Sequence, residues 1–142
     1  MIVSWFIAFL GFPGEGPRPR KSEALFSILT VNAGGWRAAI AILTEHLRDV
    51  AEQHGAAAMP TVILLQETKL LEAREAAFQT AVHRAGFRCS VSFASRTAAG
   101  GISGGVAILW RPDIYVSEHI VGLPGRVLCV PMFVPHIGQL NV

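Results

Sequence analysis

The sequence predicts an α/β fold in which one mixed β-sheet carries two helices on one face. Two apolar strands, residues 25–31 and 61–66, are separated by an amphipathic helix over residues 36–53. A second helix is predicted over residues 71–85, and strands joined by short turns follow it. A strand–helix–strand unit of this length forms a right-handed crossover between parallel strands. The first two strands are therefore expected to end at the same edge of the sheet.

The composition is that of one domain with an apolar sequence. The chain has 142 residues, of which 51% are hydrophobic and 15% charged, whereas roughly a quarter of an average chain is charged. Either the sheet is buried on both faces or a partner covers part of it. The formal net charge of +2 is too small to argue for or against a polyanionic partner. Cys89 and Cys129 have the spacing of neither a zinc site nor a disulfide framework, and we interpret them as core residues.

Residues 1–23 are predicted to be an apolar leader and a linker, with the domain beginning at Ala24. The apolar run of residues 1–12 is shorter than the roughly 20 residues that a membrane-spanning helix needs. Basic residues follow this run instead of preceding it, unlike in a signal peptide. Residues 13–20 are rich in proline and glycine, as linkers are. We therefore expect no stable membrane insertion, and an intracellular location is favoured.

The two helices are predicted from apolar spacing and from their ends. Ile40, Leu43 and Leu47 recur at helical intervals in the first helix, and Gly55 provides a C-terminal cap. Gly86 ends the second helix.

The strands of the second half are predicted from short apolar runs between turns. Residues 94–104 form a loop of small residues between two of these strands. Pro131 lies inside the last long run, which should therefore be an edge strand or contain a bulge. The predicted strands span residues 87–93, 105–110, 114–120 and 126–134, and residues 139–142 begin another.

A candidate site lies at the end of the second strand, where residues 63–69 read ILLQETK. Glu67 stands at the tip of this buried strand, and Asn32 follows the first strand. Because parallel strands end at one edge, the two side chains should lie side by side, where open α/β sheets bind ligands. A carboxylate beside an amide suits Mg²⁺, which prefers oxygen ligands. The alternative is that Glu67 begins a helix, where an acid is stabilising, and that Lys69 is a solvated surface residue.

Three segments combine polar and glycine residues at strand ends: residues 32–38 (NAGGWRA), 65–69 (LQETK) and 103–109 (SGGVAIL). They resemble, in order and spacing, motifs of the endonuclease/exonuclease/phosphatase superfamily, the group containing deoxyribonuclease I and the apurinic/apyrimidinic endonucleases. Residues 125–128 (GRVL) and 139–142 (QLNV) look like the strands that follow. Thr68 and Lys69 favour the apurinic endonuclease and retroelement branch over the lipid phosphatases.

The resemblance implies a metal-dependent phosphodiesterase, above all an endonuclease acting on nucleic acid, with DNA favoured over RNA, or on another phosphoester. Glu67 would bind the catalytic Mg²⁺ or Mn²⁺ directly. Asn32 would hydrogen-bond the phosphate or the attacking water, so both are candidate catalytic residues. Lys69 and Arg96 are candidate substrate-binding residues, and the loop over residues 94–104 would border the substrate groove. Arg96 can equally be interpreted as a solvent-facing residue.

Two departures from the family pattern are visible. The nuclease branch often carries Asp or Asn where this chain has Gly34. The later family motifs, a Tyr, an Asp-x-Asn and a His–Asp pair, are not found in residues 1–142. The histidines lie in no motif and are interpreted as surface or core residues: His46, His54, His83, His119 and His136.

These departures lead to an expectation about the whole chain. Residues 24–142 are expected to form the amino-terminal half of a four-layer α/β/β/α sandwich, truncated at its C-terminus and inactive alone. One inner sheet face would then be bare and open to self-association. The alternatives are a non-catalytic gene or retroelement fragment, and an α/β interaction module that uses the exposed sheet face.

Overall fold

The computed structural model describes residues 3–7, 26–55, 59–135 and 137–142. The predicted linker over residues 13–20, most of the predicted leader and His136 lie outside these ranges. Within the leader, residues 3–7 form a strand that pairs with the sheet. No helix within the described ranges is long and apolar enough to cross a membrane.

The described residues form two helices and a set of strands. The helices are α1 (Trp36–His54) and α2 (Glu75–Arg84), and a 3₁₀ turn (Glu72–Arg74) precedes α2. The longer strands are β1 (Val3–Ile7), β2 (Ser27–Asn32), β3 (Val62–Gln66), β4 (Arg88–Ser92), β7 (Val106–Trp110), β11 (Pro131–Val134) and β12 (Gly138–Asn141). The two-residue strands are β5 (Ser95–Arg96), β6 (Ile102–Ser103), β8 (Tyr115–Val116), β9 (Ile120–Val121) and β10 (Leu128–Cys129).

The main sheet is mixed and has the strand order β1–β2–β3–β7–β4. Strands β2 and β3 are parallel and are joined through α1, as the crossover rule predicts. The remaining neighbours in this sheet are antiparallel. The predicted α/β class with a mixed sheet is therefore confirmed.

Both helices cover the same face of the main sheet. The helical spacing of Leu43 and Leu47 in α1, and of Phe78 and Val82 in α2, points these buried side chains at the sheet. They pack on alternate strand residues, because side chains two apart on a strand share a face. The buried sheet residues of this core are Leu29, Val31, Ile63, Leu65, Ala107 and Leu109.

The opposite face of the sheet is covered by a second sheet, so the expectation of a bare inner face is wrong over much of its area. Strands β12, β11 and β8 form this three-stranded sheet. Met132 and Val134 of β11 are buried, whereas Phe133 between them is 55% exposed. This alternation directs one side of β11 onto the main sheet. The inter-sheet core contains Phe26, Val62, Ile108, Trp110, Ile114, Val130, Met132 and Val134.

The second half of the chain is more broken than its apolar runs predict. The strand predicted over residues 114–120 is replaced by β8 and β9, and the run over residues 126–134 divides into β10 and β11. Strand β11 is the middle strand of its sheet and not an edge or a bulge. Pro131 is its first residue, the other position at which a sheet tolerates proline. The loop predicted over residues 94–104 contains the short β5–β6 hairpin.

Candidate functional site

The segment that follows β3 has an uncommon backbone. Glu67 and Lys69 adopt φ angles of 53° and 51°, in the left-handed region that few residues other than glycine occupy. Each such residue costs about 1–2 kcal/mol relative to a right-handed conformation. The surrounding structure must therefore hold this segment in place.

Two neighbouring segments hold it through backbone hydrogen bonds. The N–H groups of Thr68 and Lys69 donate to the carbonyls of Gly105 (3.0 Å) and Gly104 (2.9 Å). The carbonyl of Thr68 accepts a 2.7 Å bond from the N–H of Trp36, the first residue of α1. The turn after β3 is thus tied both to the glycine turn before β7 and to the start of α1.

The close approach at Gly105 explains the paired glycines before β7. A Cβ atom at Gly105 would lie 2.4 Å from Thr68 Oγ1, and the residue has a φ of +87°. A Cβ atom at Gly104 would lie 2.7 Å from the carbonyl oxygen of Gly125. Residues with side chains are therefore excluded where this turn meets the segment that carries Glu67.

Both carboxylate oxygens of Glu67 have hydrogen-bond donors. Oε2 accepts from the N–H of Gly104 (3.2 Å), and Oε1 accepts from Arg126 Nη1 (3.2 Å). Arg126 Nη2 also donates to Ser103 Oγ at 2.9 Å. The Glu67 side chain is 38% exposed, so its outer side remains accessible to solvent.

Asn32 lies at the same edge of the sheet as Glu67. It ends β2 and is exposed, and the parallel register pairs it with Gln66, one residue before Glu67. The N–H of Ala33 donates to the Gln66 carbonyl at 2.7 Å, which extends the pairing beyond β2. The parallel crossover therefore places an amide and a carboxylate at one edge.

An open groove of about 670 Å³ adjoins this edge on the helix side. Four of its lining residues are cationic, and no acidic side chain is among the described residues that line it. Trp36 forms part of its wall and makes an edge-to-face contact with Phe78, with 5.8 Å between ring centroids. This basic groove thus combines a largely apolar lining, which includes Trp36, with four cationic residues. Its cationic residues are Arg37, Lys69, Arg74 and Arg96.

The structure separates the sequence-predicted residues into two neighbouring groups. Asn32 and Glu67 lie at the sheet edge, whereas Lys69 and Arg96 line the basic groove. The sequence patterns predict no role for Arg37, Arg74 or Arg126. Arg126 stands in the GRVL segment that resembles the family, and this was the available signal. Its contact with Glu67 spans 59 positions of sequence, which no local pattern reveals.

The donor set at this edge fits a hard divalent cation only in part. Mg²⁺ binds through one or two carboxylates and keeps several waters for a phosphate to replace, which matches the single carboxylate of Glu67 at the sheet edge that Asn32 shares. No group of three or more His, Cys, Asp or Glu side chains that could hold a metal occurs among the described residues. Glu67 and Asn32 would therefore supply a minority of a cation's ligands.

Comparison with known proteins gives one family. The model described as "Endonuclease/Exonuclease/phosphatase family" matches residues 29–137, which is more than half of the chain. The match includes both the sheet edge and the basic groove. A search of curated proteins found no match.

Proposed function

Because the chain belongs to the endonuclease/exonuclease/phosphatase family, we propose that it contributes the Glu67 side of a metal-dependent phosphodiesterase active site, and that its substrate is nucleic acid. The family comprises hydrolases of phosphoester bonds, and its enzymes commonly use divalent metals. The observation that carries the proposal is the set of backbone hydrogen bonds from Thr68 and Lys69 to Gly105 and Gly104, which fixes the Glu67 segment at the sheet edge where Asn32 also lies. Strained backbone conformations of this kind persist only where the surroundings hold them, and they cluster at active sites and ligand-binding segments.

In this proposal Glu67 holds Mg²⁺ or Mn²⁺ through its carboxylate, and Asn32 orients a phosphate oxygen through its amide. The cation, when bound, polarises a phosphoryl oxygen and stabilises the charge on the leaving oxygen. The backbone hydrogen bonds of Thr68 and Lys69 keep the carboxylate in position. Such preorganisation matters because a misplaced group loses much of its effect on a transition state.

The basic groove is the observation that favours a polyanionic substrate. Four cationic side chains on one open surface can neutralise several phosphates of a nucleic-acid backbone. Phosphate neutralisation supplies much of the affinity of proteins for nucleic acid. The groove is open rather than closed around a small ligand, which favours a polymer over a free nucleotide. The preference for DNA over RNA rests on the LQETK segment and not on the groove.

We propose further that the 142 residues alone hydrolyse phosphodiesters poorly. Catalytic groups act as a unit, so that one metal ligand without a general base retains little of the rate enhancement. In the described ranges His46 and His54 lie in α1 and His83 lies in α2. None of them belongs to a described cluster of acids and histidines that could hold a metal.

The test combines cleavage with metal binding. Purified chain is incubated with supercoiled plasmid and Mg²⁺, and Mg²⁺ binding is followed by NMR for the wild type and for Glu67→Gln. We expect negligible nicking, together with weak Mg²⁺ binding that Glu67→Gln abolishes. Robust nicking that depends on Glu67 would refute the proposed inactivity and support the site. Unchanged Mg²⁺ binding in Glu67→Gln would refute the metal role and favour the non-catalytic alternative.

A further inference from the structure

Arg126 connects three segments around Glu67. Its guanidinium donates to Glu67 Oε1 through Nη1 at 3.2 Å and to Ser103 Oγ through Nη2 at 2.9 Å. Neither the metal role of Glu67 nor the basic groove uses this arginine. The Arg126 guanidinium therefore contacts the same carboxylate that is proposed to bind the metal cation.

The backbone beside Arg126 is fixed next to Glu67. The N–H of Gly125 donates to the buried Ser92 hydroxyl at 2.7 Å, and its carbonyl accepts from the N–H of Gly105 at 2.8 Å. A Cβ atom at Gly125 would lie 2.6 Å from the carbonyl oxygen of Phe93. The turn between β9 and β10 thus presents the guanidinium to Glu67 from a rigid base.

The two donors to Glu67 differ in how easily they can leave. The N–H of Gly104 belongs to a backbone segment whose carbonyl also holds Lys69, so this donor cannot move alone. The Arg126 side chain is 56% exposed and can swing into solvent. A divalent cation at Oε1 would repel a guanidinium on the same oxygen. Binding of the cation there would therefore displace Arg126.

We propose that Arg126, anchored by Ser103, is a built-in competitor for the cation at Glu67 and raises the cation concentration at which that carboxylate is loaded. The inference rests on the proposed metal role of Glu67. An exposed ion pair corresponds to a factor of about 1.5 to 5 in an equilibrium constant. Removing the competitor should increase the apparent affinity for Mg²⁺ by that factor.

The test is a Mg²⁺ titration of the full chain followed by the NMR shift of the Gly104 amide, whose N–H contacts Glu67. We expect Arg126→Gln to bind Mg²⁺ about 1.5 to 5 times more tightly than the wild type. Ser103→Ala leaves every charge in place but removes the anchor of the guanidinium. It should therefore tighten binding in the same direction by a smaller factor, which a simple change of net charge does not predict.

The matched control is Arg111→Gln. Arg111 also forms an exposed ion pair, with Asp113 at 3.3 Å, and it lies beyond the opposite end of β7, roughly 20 Å from Gly105 by strand length. Its substitution removes one positive charge and one ion pair without touching Glu67. We expect its Mg²⁺ affinity to match that of the wild type.

Three outcomes would overturn the proposal. The first is an affinity of Arg126→Gln at or below that of the wild type. The second is an equal gain in Arg111→Gln, which would assign the effect to net charge. The third is Mg²⁺ binding that Glu67→Gln leaves intact, and this result would also remove the proposed metal site. Either of the first two results, obtained together with loss of binding in Glu67→Gln, would refute the competition alone.

Discussion

Replacing Gly105 with alanine should damage both the fold and the candidate site. At this position a Cβ atom would lie 2.4 Å from Thr68 Oγ1, 3.2 Å from the Lys69 nitrogen and 3.3 Å from Ala94 Cβ. Thr68 is only 1% exposed, so its side chain has little room to move away. The added methyl group therefore pushes on the segment that carries Glu67.

The expected magnitude has two parts. A φ of +87° at Gly105 costs an alanine about 1–2 kcal/mol relative to glycine. Overpacking in a close-packed region adds about 1–3 kcal/mol. We therefore expect Gly105→Ala to lower the free energy of unfolding by about 2–5 kcal/mol, measured by urea denaturation followed by circular dichroism.

Gly86→Ala is the matched control. Gly86 has the same φ of +87°, but nothing lies within 4 Å of the position of its Cβ atom. Its substitution should cost only the conformational part, about 1–2 kcal/mol. The difference between the two variants isolates the close contact between the glycine turn and Thr68. Equal losses in the two variants would refute the close approach as the reason for glycine at position 105.

The remaining predictions concern the groove, the inner core and one thiol. In fluorescence anisotropy titrations, Arg37→Ala should weaken binding to duplex DNA and reduce the slope of log affinity against log salt concentration by about one unit. Arg48→Ala is the control, because Arg48 is an exposed arginine of α1 outside the groove lining. It should leave this slope unchanged. Met132→Ala should lower the free energy of unfolding, measured by urea denaturation, by about 2–5 kcal/mol. Phe133→Ala should lower it by clearly less, because Phe133 is 55% exposed. Similar losses in the two variants would contradict the packing of the second sheet on the main sheet. Burial, with a smaller contribution from Glu75, raises the pKa of Cys89 from 9.0 to about 11. The unfolded thiol therefore ionises first, so stability should fall as the pH rises from about 9 to about 11, and Cys89→Ala should flatten that part of the pH profile.

The part of the fold that the sequence predicts well is the first half. The apolar spacing in α1 and the apolar runs of β2 and β3 are local patterns, and the handedness of the crossover is a general rule. Together they predict that Asn32 and Glu67 lie at one edge of the sheet. The exposed edge and the paired register at Gln66 agree with that inference.

The predictions fail where pairing is set by distant contacts. The run over residues 126–134 looks like one strand, but the strand is interrupted at Val130, whose backbone pairs with that of Val142. Ser92 alternates with apolar residues as a solvent-facing residue would, yet it is buried and accepts the N–H of Gly125. Neither feature has a local signature, because the partner lies more than ten positions away.

The sequence by itself determined the fold class, the parallel crossover and the sheet edge that Asn32 and Glu67 share, because these follow from local periodicity and from the chirality of the chain. Only the tertiary structure decided which cations surround that edge. The basic groove gathers residues from α1, from the segment after β3, from the 3₁₀ turn before α2 and from the β5–β6 hairpin. Arg126 reaches Glu67 because Gly104, Gly105 and Gly125 let three backbone segments approach within hydrogen-bonding distance. Such proximity depends on packing between distant segments, which a single sequence does not display.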